Sequence, residues 1–233
     1  MDFYSLPFYY LHSTIYLIRM TPNEITTLIA TNLEMELDFP FRLQLMDRVK
    51  YWRSRHIVNM IQKNPAKRKF FRQSLYINMQ AGYPDASVSL VGNQVAITVD
   101  DIPKVVTAGA TLFDYVGGVD GKSPFREVQP GMANYLSTGK FSSRFPAYEF
   151  NQKVFVDQPD IPRIRIDAIF DDPMKVLEYT CNCLQKQCDT WNTEFPCSGE
   201  VIQLIVQSIL QVDYNRLDRT STPEIQVNDG VKK

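Results

Sequence analysis

At Leu75 the hydrophobic spacing of the chain changes from the three- and four-residue repeat of an amphipathic helix to the alternation of a strand. Near Asp172 it changes back. Before the first change, Thr21-Pro22-Asn23-Glu24 forms a capping box: Thr at the N-cap, Pro at the first helical position and Glu at the third. The helix it starts carries Ile25, Leu28, Ile29, Leu33 and Leu37 on one face. Asp38-Phe39-Pro40 ends it and begins a second helix with a stripe of Leu45, Val49, Trp52, His56 and Met60, flanked by Met46, Ile57 and Ile61. Asn64-Pro65 closes that helix and starts a short third one over AKRKFFRQ. From Leu75, LYINMQ, ASVSLV and QVAITV read as strands, with Gly92-Asn93 placed for a hairpin turn. TLFDYV, YEF, KVFV and RIRIDAIF continue the pattern, with Asn151-Gln152 joining two of them, and 117–147 reads as long Gly-, Ser- and Pro-rich loops. Asp172-Pro173 is an N-cap followed by proline, and a last helix places Val201, Ile202, Ile205, Ile209 and Val212 on one face. These signals predict an α+β fold in which the N- and C-terminal helices (21–74 and 172–216) form a bundle. A mostly antiparallel β module is inserted over 75–171.

The ends are different in character. Residues 1–20 are apolar and aromatic, but Asp2 replaces a basic start, Pro7 and His12 interrupt the run, and no small-residue cleavage site follows. The segment is thus a poor signal peptide and too interrupted for a membrane span. It reads as an aromatic arm that docks on a neighbouring subunit, as a strand of the protein's own core, or as a start-site artefact ahead of Met20. Residues 217–233 are polar and aperiodic, a tail that a partner would have to order.

Chemistry-bearing residues are few. Two His among 233 residues leave little material for acid–base work, and the chain is expected not to be an enzyme. His56 falls on the apolar side of its helix, where a satisfied core or boundary histidine is expected. Cys181, Cys183, Cys188 and Cys197 lack the paired knuckles of a zinc site and have no His nearby, so free thiols and no metal or other cofactor are expected. Gly121-Lys122-Ser123 imitates the end of a phosphate loop, but Val116 stands where its first Gly belongs and no helix follows, so a β-turn is expected. Asp100-Asp101 and Asp171-Asp172 sit at turn and cap positions, where carboxylates bond backbone N–H groups.

Charge is the most uneven property. Between Arg42 and Arg72 ten basic residues (Arg42, Arg48, Lys50, Arg53, Arg55, Lys63, Lys67, Arg68, Lys69, Arg72) face one acid, Asp47. With a total of −1, that segment carries +9 and the remainder −10. Such a chain can meet an acidic partner with one end and a basic partner with the other, or simply solvate a helix face. Arg48 and Arg55, a heptad apart, and Lys67 and Arg68 beyond Pro65 are the candidate docking or DNA-channel charges. Interleaved Tyr51, Trp52, Phe70 and Phe71 would suit single-stranded nucleic acid, but no groove-reading motif accompanies them.

A further set of pieces resembles a known family. Asp101-Ile102-Pro103-Lys104, Phe113 to Gly121 with Pro124-Phe125, Lys153-Val154-Phe155-Val156, Ile166 to Pro173, Glu194-Phe195-Pro196 and the helix from Val201 to Leu210 are its carriers. Together, over residues 65–212, they resemble virion structural proteins of crAss-like bacteriophages that form rings in the neck and short tail. In outline the chain is also similar to head–tail adaptors of short-tailed phages. The resemblance implies a non-enzymatic virion subunit in a twelve-copy homo-oligomeric ring around the DNA channel. Its partners would be the portal or neighbouring ring and tail proteins; it would lie near phage DNA without reading it, bind no membrane and be made in the bacterial host cytoplasm. It implies no catalytic residues. A DNA-binding or packaging accessory protein is the alternative function, and an enzyme with an unrecognised site is the third class.

Overall fold

A computed structural model of the chain describes residues 20–35, 39–83, 95–107, 111–129, 132, 144–158, 160–180 and 189–213. Leu37, the expected ASVSLV strand with its Gly92-Asn93 turn, the arm before Met20, the tail over 217–233 and Cys181, Cys183 and Cys188 lie outside the described residues.

Helix α1 (Pro22–Asn32) opens on the expected capping box: the Glu24 N–H donates to Thr21 Oγ1 at 3.2 Å, and the Thr21 N–H donates to Glu24 Oε2 at 2.8 Å. Ile25, Ile29 and Leu33 are buried as expected; Leu28 is instead exposed, and the small polar Thr26 takes the buried place with its hydroxyl donated to the Pro22 carbonyl. Helix α2 (Phe39–Lys63) buries Leu45, Met46, Val49, Arg53, Ile57 and Ile61. Its buried stripe is therefore rotated by about one residue from the expected one, with Trp52 and Met60 on the flank and Arg53 at the centre. A 3-10 turn (Pro65–Phe70) follows, capped by Asn64 Oδ1 accepting from the Ala66 N–H.

The seven strands are β1 (Gln73–Tyr83), β2 (Val95–Thr98), β3 (Tyr115–Gly118), β4 (Arg126–Glu127), β5 (Pro146–Phe150), β6 (Lys153–Val156) and β7 (Arg163–Ala168). They form one sheet in the order β3-β7-β1-β2-β6-β5-β4, antiparallel except where β4 runs parallel to β5. The first and last strands of that order are joined. After β3 the chain turns through Gly121, in the left-handed region at φ 70, and returns so that the Phe125 N–H donates to the Val116 carbonyl at 2.8 Å before β4 begins. Gly117 is required there, because a Cβ would lie 2.3 Å from the Ser123 carbonyl oxygen. The sheet thus nearly closes on itself as a barrel. Alternation fills the inside: Leu75, Ile77 and Met79 from β1, Ile164, Ile166 and Ala168 from β7, and Val154 and Val156 from β6 share one core. Each fully buried branched side chain there contributes about 1.5–3 kcal/mol. Asn151 and Gln152, both at positive φ, make the tight β5–β6 turn expected from the sequence.

Helices α3 (Pro173–Thr180) and α4 (Gly199–Ser208) complete the described chain, with one π turn at Ile209–Asp213. The Asp172 carboxylate accepts from the Met174 N–H at 3.1 Å as the α3 cap, and Ser198 caps α4.

The expected architecture, a terminal helical bundle carrying an inserted β module, is corrected. The organising body is the mixed, nearly closed seven-strand sheet. The helices do not close a core of their own: α1, α2 and α4, with Met174 of α3, bury their stripes together with Phe71, Val106 and Ile169, which flank the strands. Val176 of α3 enters the barrel core itself. Apolar periodicity locates a buried stripe but does not say what covers it, and here sheet-flanking residues cover part of it.

Candidate functional site

The basic segment runs along α2 and the 3-10 turn, and much of its charge is met within the molecule. Lys50 Nζ lies 2.7 Å from Asp172, Arg68 Nε 2.6 Å from Asp114, Lys67 Nζ 3.4 Å from Glu200 and Arg72 Nε 3.9 Å from Asp167. Each acid lies outside the basic segment, in the remainder that carries the −10. The sequence-level bipolarity is therefore in part internal complementarity, joining the first third of the chain to the remainder.

Arg53 is the residue that sequence reasoning missed. It is fully buried; its Nη1 donates to the Phe170 carbonyl at 2.8 Å, and Nε and Nη2 both donate to the Pro196 carbonyl at 3.2 Å. The guanidinium also lies 5.8 Å from the Phe195 ring centroid. Burial lowers its pKa, with Cys197, Asp171 and Asp172 acting the other way. An arginine stays charged throughout, so this is a permanent cation clamping the end of β7 to the loop before α4. Its position four residues after Val49 and four before Ile57 was the available signal.

Of the four candidate docking charges, Arg48 and Arg55 are exposed on α2. Arg55 lies 5.3 Å over the Trp52 ring and donates to the Tyr51 hydroxyl at 3.4 Å. Lys67 holds its exposed pair with Glu200, while Arg68 is half-buried against Asp114 and donates to the Leu112 carbonyl at 3.4 Å. The four do not form one cluster: two present charge outward, and two tie the 3-10 turn to other elements.

A groove of about 830 Å³ runs between α2 and the segments 103–107 and 171–175. Its lining has both signs, with Asp47 and Asp172 beside Lys50, Arg55, Lys104 and Lys175. On its floor the Ser54 hydroxyl donates to Asp171. His56 stacks on Trp52 and its Nε2 lies 2.9 Å from Ser208 Oγ; burial lowers its pKa, as suits the boundary role expected for it. The phosphate-loop look-alike is a turn in which the Lys122 N–H donates to Asp120 Oδ1 at 3.0 Å, and a strand follows it rather than a helix. The Cys197 thiol is pushed up to about 11, chiefly by burial. Among the described residues no three His, Cys, Asp or Glu side chains are grouped to hold a metal ion.

Comparison with known proteins gives this geometry a context. The model of the CrAss_Ring_2 family, phage tail ring protein 2, matches residues 28–229. The chain belongs to this family. It is thus a crAss-like phage tail ring protein, a structural subunit of the virion that assembles with other tail proteins. The pieces quoted over 65–212 fall inside the family match, which extends through all of α2 to the tail. No curated protein matches the chain. Among the described residues no helix is long and apolar enough to cross a membrane.

Proposed function

We propose that this ring protein is a head–tail connector of a short-tailed phage. It would form a closed, twelve-copy homo-oligomer around the DNA channel and contact the portal or an adjacent ring. The observation that carries the reading is the family match over residues 28–229. A ring of identical copies joins head to tail, so each subunit needs two different, complementary surfaces. It passes DNA without reading bases, binds no membrane, performs no catalysis and is made in the host cytoplasm before incorporation.

Within this reading Arg48 and Arg55, exposed on α2, dock on an acidic neighbouring tier or face the channel. Lys67 and Arg68 act beside them, but their reversal also breaks the pairs with Glu200 and Asp114. Cryo-electron microscopy of the virion tests the assignment: density for this chain as a twelvefold ring in the neck supports it, and absence from neck and tail refutes it. Reversing Arg48 and Arg55 together should reduce incorporation while the purified chain stays folded.

A further inference from the structure

At the end of the sheet where β5 begins and β6 ends lies a second cavity, of about 540 Å³. Phe125, Phe145, Ile161 and Pro162 give it apolar walls, Arg144 and Arg163 bring positive charge, and no carboxylate is among its described lining residues. Arg163 lies 5.7 Å over the Tyr76 ring, and its Nε is buried without a hydrogen-bond partner among the described residues. Such a group costs free energy until an acceptor reaches it. Phe145, at the rim, is 45% exposed. The cavity therefore suits an apolar group carrying or flanked by an anion.

The opposite end of the same strands offers that chemistry. There Val99 is 50% and Phe150 43% exposed, and Asp100 and Asp101 follow directly after β2. The end is held rigidly: the Ile102 N–H donates to the Gln152 carbonyl at 2.7 Å, and Lys153 Nζ donates to the Val99 carbonyl at 2.7 Å and pairs with Asp101 at 3.0 Å. Tyr179 donates its hydroxyl to the Asp101 carbonyl, and its pKa is raised by burial first and by Asp100, Asp101 and Glu178 next. Asp100, Asp101 and Glu178 thus lie close enough to act on Tyr179, and Lys153 pairs with one of them, Asp101. β5 separates knob from cavity by on the order of 15 Å.

We infer that successive copies of this chain join head to tail through the barrel ends, the Val99–Asp101 and Phe150 knob of one copy seating in the Arg144/Arg163 cavity of the next. This rests on the ring reading and names its interface. A heterologous contact requires two complementary, non-identical surfaces, and it closes into a ring where the rotation between successive copies closes.

The test supplies variants in trans to a phage whose own copy is silenced, and measures chain abundance in purified particles by mass spectrometry. Asp100→Lys and Arg163→Glu should each lower incorporation at least about tenfold, with the circular dichroism of the purified chain unchanged. Both substitutions on one chain should restore it to within about threefold, since the pair is then reversed but complementary. Normal incorporation of either single variant, or no restoration in the double, overturns the proposal. A second arm avoids dependence on charge reversal. Asp100→Cys with Arg144→Cys on one chain, treated in intact particles with a short bismaleimide, should give a ladder of covalent multimers that neither single variant nor the unsubstituted chain gives. A particle whose ring is visible by cryo-electron microscopy yet yields no ladder refutes this interface alone. A particle with no such ring refutes the ring reading instead.

Discussion

Replacing Arg53 tests whether one buried cation holds helix, sheet and loop together. Arg53→Met keeps an unbranched side chain of similar reach and removes every donor. The buried Phe170 carbonyl and the half-buried Pro196 carbonyl then lose the bonds made at 2.8 and 3.2 Å. An acceptor left unsatisfied in the interior costs about 1–3 kcal/mol, so the two together cost at most about 6 kcal/mol, the Pro196 oxygen contributing less because water can reach it. Methionine recovers part of this, because the thioether fills the space and no charge has to be desolvated. The expected net loss is about 3 kcal/mol, equivalent to a fall in Tm of about 6–12 °C for a chain of this size. Arg53→Lys keeps the charge but not the three-bonded fork, and should fall between wild type and Met. Urea titration followed by circular dichroism and by the fluorescence of Trp52 and Trp191, both packed against the helical cluster, measures the difference. A loss below about 1 kcal/mol for Arg53→Met at unchanged m-value would show that the two carbonyls find other partners, and a Lys variant as stable as wild type would show that the fork is unnecessary.

Other consequences follow from single contacts. Thr21→Ala removes the side-chain acceptor of the capping box, leaving the backbone N–H bond to Glu24 Oε2, and should cost about 1 kcal/mol in the same titration; no change would mean that the 3.2 Å bond from the Glu24 N–H contributes nothing. Gly117→Ala forces a Cβ toward the Ser123 carbonyl and should cost about 1–3 kcal/mol, exposing the β3–β4 junction to faster amide exchange; unchanged exchange there would argue against closure of the sheet. His56 has its folded pKa lowered by burial, so the unfolded chain binds the proton more readily. Stability should therefore be full above the ordinary histidine value of about 6.5 and decline as pH falls below it, and His56→Gln should flatten that decline between pH 7 and 5.

Local signals were legible where one residue type admits one geometry. Thr21-Pro22-Asn23-Glu24, Asn64-Pro65, Asn151-Gln152 and Asp172-Pro173 each mark the boundary or turn they were expected to mark. β4 was not legible: Arg126-Glu127 is two residues long, too short for alternation, and its parallel pairing with β5 offers no local hairpin signal. Closure of the sheet was equally hidden, since an open and a closed sheet share the same alternation; the one clue was Gly117, whose need appears only when Ser123 is brought beside it. The buried stripe of α2 was placed about one residue off because Arg53 was not among the residues counted for it.

The candidate charges show the same limit at the level of function. A block of +9 in a chain of total charge −1 invites a partner, yet the block has a partner already in the chain's own acids: Asp114, Asp167, Asp172 and Glu200 each meet one of its cations. The exposed Lys67–Glu200 pair contributes little, about 0–1 kcal/mol, and the four pairs act together on orientation. They select, among the ways α2 could lie on the sheet, the one in which its cations face carboxylates. What such pairing leaves for other molecules is smaller than the sequence sum and sits elsewhere. Arg48 and Arg55, exposed on α2, and the Arg144/Arg163 cavity far from the basic block are described cationic surfaces open to docking. Counting charge by sequence segment overstates the first and passes over the second, because Arg144 and Arg163 are separated by a whole hairpin and meet only when β5 and β6 bring the strand ends together.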